Sequence, residues 1–361
     1  MLIGRTLGAY FSRQFLQTIF LVFATVFTLV YTLDFVELMR RAGDAPGATT
    51  GAIAQLALFR TPAIAEQVMP FAVLFGSMAA LLQLSRKLEL VVARAAGISA
   101  WQFLQPGLLI ALLIGILSVT VYNPVSATLK QRGSTMESQI FSRNVQTREK
   151  PIWIRQRSQD GQAIFRANGS AIDSATLFGV TVYAFDNAGA FTHRVEAKEA
   201  ALHDGFWELK EARILSATEE PQTHDRYLIA STLQPSQVRQ SFVDPDAVPF
   251  WDLKETISQM KQADLNTTTY ALHYDLLLAR PLLFIAMVFV AASVSLRFFR
   301  FGGVAIMVLG GVAAGFVLYV ATELMAELGA SGIISSLVAA WFPAVVGSLL
   351  GTLALLYQED G

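Results

Sequence analysis

Residues 15–35 read FLQTIFLVFATVFTLVYTLDF, a run in which Gln17 and Asp34 are the only residues that are neither apolar nor hydroxyl-bearing. A helix needs about 20 such residues to cross a hydrocarbon core of about 30 Å. The run is too long for the apolar core of a signal peptide and no A-x-A-like site follows it, which predicts an uncleaved first span. Working outward, five further stretches qualify: roughly 53–84, 101–122, 276–296, 302–324 and 334–357. The second carries Pro62 and Pro70, read as kinks that neighbouring helices satisfy. The third is expected to stop at Asn123-Pro124, where proline removes a donor and disfavours helix just before it.

Composition agrees with a chain that lives largely in lipid. Apolar residues are 53% of the 361 and charged residues 15%, against roughly 45–50% and 25% in soluble domains. A net charge of -1, with no Lys/Arg-rich run, argues against a nucleic-acid partner. There are no cysteines, so disulfides and thiolate chemistry are excluded. No phosphate-binding loop, nucleophile elbow or H-E-x-x-H pair occurs, and His193, His203, His224 and His273 are scattered. The sequence therefore predicts a non-enzyme with no cofactor of its own.

Basic residues in short loops set orientation. Arg5, Arg13, Arg86, Lys87, Arg94, Arg297 and Arg300 all fall on one side of a six-span arrangement. That side is expected to be the cytoplasm, with both termini there and the polar middle outside.

The expected fold class is thus membrane α-helical, about six transmembrane helices with an inserted extracytoplasmic all-β domain, whose many short strands suggest a sandwich, a jelly roll or an open barrel. The expected division is 1–123 for spans one to three with a cytoplasmic helix at 85–97, 124–265 for the β-domain, and 266–361 for spans four to six. Within the middle, 152–154, 163–165, 179–185, 206–209 and 227–230 read as strands. Asp186-Asn187-Ala188-Gly189, Asp160-Gly161, Asn168-Gly169 and Asp204-Gly205 read as turns. Residues 252–264 read as a short helix.

Between spans two and three, Leu88, Val91, Val92, Ala95 and Ala96 recur at one helical face, with Ser85 as N-cap and Gly97 as stop. Spacing alone supports equally a helix lying at the lipid surface, anchored by Arg86, Lys87 and Arg94, and a coupling helix that docks on a cytoplasmic motor. Arg40 and Arg41 follow the first span on the side where basic residues are unusual. They are either phosphate ligands or a solvated pair neutralised by Glu37 and Asp44. Arg60, Glu66, Glu323 and Glu327 lie in or near apolar segments, where ionisable groups are costly. Gly311/Gly315 and Gly347/Gly351 permit close helix approach. Phe316 and Tyr319 read as ordinary helix-facing aromatics or as lining of a substrate cavity.

Several marks in order resemble one family: 35–43 FVELMRRAG, 88–97 LELVVARAAG, 179–185 GVTVYAF, 244–247 DPDA and 315–320 GFVLYV. The chain resembles the LptF/LptG permeases of lipopolysaccharide transport over nearly its whole length, and its first-span exit is more like the LptG branch. The resemblance implies a subunit of an ABC transporter in the bacterial inner membrane that extracts lipopolysaccharide and passes it to a periplasmic bridge. It implies a heterodimer with an LptF-like permease, a cytoplasmic ATPase dimer that uses the ATP, a jelly-roll bridge protein and a membrane-anchored regulator. Lipid would enter between the first and fifth spans. It further implies that Glu89, with Arg86, Arg94 and Leu88, couples to the ATPase, and that Arg40, Arg41, Phe316 and Tyr319 face the lipid. Asp34 departs from the family by standing where some LptG-like proteins carry lysine. The rival is a mechanotransmission or scaffold subunit that relays force without passing lipid.

Overall fold

The computed structural model describes residues 4–43, 48–141, 146–158, 161–171, 176–186, 188–216, 220–234, 244–262, 265–298 and 304–359. Asp44, Asp160, Asn187, Asp264, Arg300 and Gly302, used in the sequence reading, lie outside them. The chain forms two compact units, one of residues 1–141, 246–251 and 268–361 and the other of residues 142–245 and 252–267.

Among the described residues, the first unit holds six helices long and apolar enough to span a membrane: Thr6–Ala42, Thr50–Arg86, Ala100–Glu137, Thr268–Leu296, Val308–Ala330 and Ser336–Tyr357. Its core is built from Phe11, Phe15 and Ile19 of the first span, Val73, Leu74, Met78 and Leu81 of the second, Phe103 and Leu104 of the third, and Phe284 and Met287 of the fourth. Glycine sets how closely the helices approach. A Cβ on Gly76 would stand 2.4 Å from the backbone Cα of Ile19, so the first two spans touch at main-chain distance there. Both small-residue pairs noted in the sequence are used: Gly311 and Gly315 receive Met78 and Leu74, and Gly347 and Gly351 receive Leu318 and Phe289.

The third span corrects the sequence reading. Asn123-Pro124 does not end it. A π-helical turn at Ser118–Tyr122 precedes the proline, and helix then continues over Asn123–Ile140. The carbonyl that Pro124 leaves without its helical donor is that of Thr120, four residues back. It accepts instead from Trp251 Nε1 at 3.1 Å. Asn123 Oδ1 also accepts from the Phe250 backbone N–H at 3.0 Å, so the turn is stitched to the returning segment rather than left open.

The second unit carries six antiparallel strands that pair in sequence order: β1 Gln146–Ser158, β2 Gly161–Ala171, β3 Thr176–Phe185, β4 Phe191–His203, β5 Phe206–Ser216 and β6 Gln222–Ala230. Alternation puts Phe165, Val182 and Val195 opposite one another across β2–β4, all fully buried. Asp204-Gly205 turns β4 into β5, with Gly205 at φ 92°. Between β3 and β4, the Asp186 carboxylate accepts from the Ala188 and Ala190 backbone N–H groups and closes that turn. Asn168-Gly169 is not a turn. It lies inside β2, where Gly169 pairs with Phe178, because the flanking residues extend the ladder on both sides. Burial pushes the His193 imidazole below its usual range, and its Nε2 lies 3.3 Å from the Tyr227 hydroxyl. The helix expected after the strands runs over Phe250–Gln262.

Candidate functional site

The candidate residues singled out from the sequence fall in three groups within the first unit. The first is the connection between spans two and three. The second span ends at Arg86 and the helix Glu89–Ala95 begins after a reversal at Leu88, whose φ of 60° is left-handed. That conformation is a marked outlier for a bulky residue. Ser85 is therefore not the cap expected from sequence; it is buried in the second span's last turn. Gly97 ends the helix at φ 83°, with the Ile98 N–H bonded to the Ala93 carbonyl, as a glycine stop requires. Leu90 and Ala93 face inward. Leu88, Val91 and Val92 are 62%, 55% and 66% exposed, so the apolar face read from the spacing is left uncovered by the described residues. Arg86 and Arg94 are exposed beside it. Glu89 accepts from the Tyr10 hydroxyl at 3.0 Å through Oε1, while its Oε2 is buried with no hydrogen-bond partner among the described residues.

The second group lies at the far end of the first span. Arg40 is held by Glu37 through two bonds of 3.0 and 2.9 Å. Arg41 stands 3.6 Å from Glu137, which also takes Arg60 at 3.1 Å, and Arg60 reaches Asp34 at 3.4 Å. Arg40 and Glu37 thus form one pair, and Arg41, Glu137, Arg60 and Asp34 form a chain of alternating charge. Asp34, the departure from the family pattern, is answered by Arg60 from the second span. Spacing anticipated Arg40 and Arg41; it did not show that Arg41, Arg60, Asp34 and Glu137 would share one cluster, because Glu137 lies beyond the proline that was read as the end of the third span.

The third group is on the fifth span. Phe316 is 58% exposed, and the Tyr319 ring lies 5.2 Å from that of Phe71. Glu323 and Glu327 are exposed on the same helix. The first and fifth spans are the least covered of the six: 6% and 17% of their apolar windows are buried, against 61% of the second.

In one buried cluster the sequence reading named Glu66 but not its partners. Glu66 of the second span pairs with Arg280 of the fourth, and Asn123 Nδ2 donates to the same Glu66 oxygen at 2.9 Å. Arg280 also reaches Ser118 Oγ at 3.3 Å. The signal was present in 276–281, LLLARP, where an arginine interrupts an apolar run. Among the described residues no group of His, Asp and Glu suits a metal ion.

Six apolar helices, a six-stranded β-insert between the third and fourth, and an uncovered amphipathic helix between the second and third define a polytopic membrane subunit built to engage partners. The chain belongs to the lipopolysaccharide export system permease LptF/LptG family, whose pattern matches residues 9–358. It is similar to the lipopolysaccharide export system permease protein LptG of Escherichia coli (strain K12), 22% identical over 336 residues that cover 89% of this chain and 90% of that protein. It is also similar to LptG of Haemophilus influenzae, 21% identical over 360 residues that cover 97% and 96%.

Proposed function

We propose that this chain is the permease half of an ABC-type lipid exporter that draws lipopolysaccharide from the bacterial inner membrane and hands it to a periplasmic bridge. The observation that carries this reading, beside family membership, is the pairing of two uncovered surfaces. The apolar face of Glu89–Ala95, flanked by Arg86, Glu89 and Arg94, is a docking surface for an ATPase. The bare first and fifth spans are the walls between which lipid enters, completed by a homologous LptF-like permease. Short-loop charges support a cytoplasmic position for Glu89–Ala95 and for both termini. One further span separates that helix from the β-strands, which puts the strands in the periplasm, where they meet the bridge protein. A membrane-anchored regulator completes the assembly.

The energetics assign a role to each part. A methylene is worth roughly 0.8 kcal/mol between water and hydrocarbon, so a lumen as apolar as the bilayer neither attracts nor repels acyl chains strongly. Direction must come from closing the lumen, with ATP hydrolysed on the partner and motion received through Glu89–Ala95. Arg40, Arg41 and Arg60 are paired with carboxylates. A lipid phosphate entering there exchanges places with Glu37 or Glu137, since guanidinium forks take both anions.

A photo-crosslinker placed at Phe316 tests the reading against the force-relay alternative. In membranes that make lipopolysaccharide it is expected to capture that lipid, with capture falling when ATP turnover clears the lumen. Capture of the partner permease alone, with no lipid under any condition, contradicts lipid passage and favours a relay.

A further inference from the structure

We propose that Tyr10 is a positioning residue: its hydroxyl fixes the Glu89 carboxylate, so that displacement of the ATPase-facing helix enters the first span directly. The inference rests on the reading of Glu89–Ala95 as the ATPase contact and adds the route by which motion leaves that helix.

Three observations support it. The bond joins residues 79 apart in sequence and is the described anchor of the carboxylate's Oε1, while Oε2 is buried without a partner among the described residues. Hydrogen bonds to an ionised acceptor are roughly twice as strong as neutral ones, and this hydroxyl is the described side-chain bond between that end of the helix and the first span. Next, the reversal at Leu88 holds a left-handed φ of 60° in a bulky residue, which sets Glu89 at the first helical position. Strained backbone of this kind persists only where its surroundings hold it. Last, Tyr10 belongs to an unbroken helix, Arg5–Ala42, with no proline along it. At about 1.5 Å per residue, that helix carries a shift from Tyr10 to the Arg40 and Arg41 cluster at its other end. Below the midpoint it is gripped: Phe11, Phe15 and Ile19 are buried, and the Gln14 side chain bonds that of Gln83 on the second span. Its other end is held as well: Leu38 and Ala42 are buried, and Arg41 and Asp34 pair with Glu137 and Arg60. A proline-free helix held at both ends passes a displacement from one end to the other.

The test uses the assembled complex, permease pair and ATPase together, reconstituted in vesicles containing lipopolysaccharide, with Tyr10→Phe, Glu89→Ala and the double variant. Tyr10→Phe keeps the ring and removes only the donor. It is expected to retain the ATPase on purification and to melt with the wild type, yet to release several-fold less lipid per ATP, on the order of 3–10-fold for the loss of one charge-assisted bond. On the Glu89→Ala background the same change is expected to add nothing, because its acceptor is gone. Wild-type yield in Tyr10→Phe, or an equal loss on both backgrounds, overturns the role of Tyr10 while leaving the coupling helix in place. Loss of the ATPase or of thermal stability in Tyr10→Phe also overturns it, since the hydroxyl then supports assembly or fold. Wild-type binding and release in Glu89→Ala removes the coupling reading itself, and Tyr10 with it.

Discussion

Replacing Arg280 by alanine is expected to destabilise the helical unit by about 3–5 kcal/mol, the range for breaking a buried pair by removing one partner. Glu66 and Arg280 are 8% and 16% exposed, and they lie within the second and fourth spans. Without Arg280, the Glu66 carboxylate keeps only the Asn123 amide as a described side-chain donor. The same substitution frees Ser118, which sits at the start of the π-helical turn. Thermal unfolding in detergent is the measurement. The double variant Glu66→Gln with Arg280→Met removes both charges at nearly constant volume and is expected to recover most of the loss, since an apolar replacement of a buried pair is often neutral or better. A drop within about 0.5 kcal/mol for Arg280→Ala, as at an ordinary surface site, would show that water reaches the pair.

Trp207→Ala is expected to cost about 3–5 kcal/mol in the β-unit, the range for emptying a fully buried aromatic site. The indole is 0% exposed and packs on Phe165 at 4.9 Å between ring centroids. Its Nε1 donates to Gln156 Oε1 at 3.2 Å, and Gln156 is tied in turn to Ser231 at 2.7 Å and to the Ala230 carbonyl at 3.1 Å. One side chain thus closes the ladder of β1, β5 and the end of β6. Proteolysis of the inserted protein is the readout: residues 146–230 are expected to become sensitive while the six spans stay protected. Trp207→Phe, which keeps most of the volume and loses the donor, is expected to fall near 1 kcal/mol. Unchanged proteolysis in Trp207→Ala would mean that the sheet does not depend on this core.

What was legible in the sequence follows from which physical signal each element rests on. The six spans were plain because a hydrocarbon solvent imposes length and apolarity on every one of them. The face Leu88, Val91, Val92, Ala95, Ala96 was plain for a similar reason, since helical spacing depends on no distant residue. Its exposure was not, because only the fold shows that Leu90 and Ala93 take the inward side. Asn123-Pro124 misled because a π-helical turn and a donor from Trp251, 131 residues away in sequence, remove the penalty that makes proline a stop. Asn168-Gly169 misled because a dipeptide that favours a tight turn also fits a strand when both flanks have partners. Strand Phe191–His203 went unmarked, its charged residues on the exposed face hiding the buried Val195, Ala197, Ala200 and Leu202. The polar contacts of the site, Tyr10 with Glu89, Arg60 with Asp34 and Glu66 with Arg280, join residues that lie far apart in the chain. Sequence offered the members of those pairs and not the pairing.

Lipid export by this route requires the short helix and the β-strands to lie on opposite faces of the membrane, with the helix on the ATPase side. The absence of native cysteine makes a direct measurement simple. Single cysteines at the exposed positions Val92 and Asp204, treated with a membrane-impermeant thiol reagent in intact spheroplasts, are expected to label at 204 from outside and at 92 only after the membrane is opened. Labelling of position 92 in sealed cells, or protection of position 204 until lysis, would contradict it.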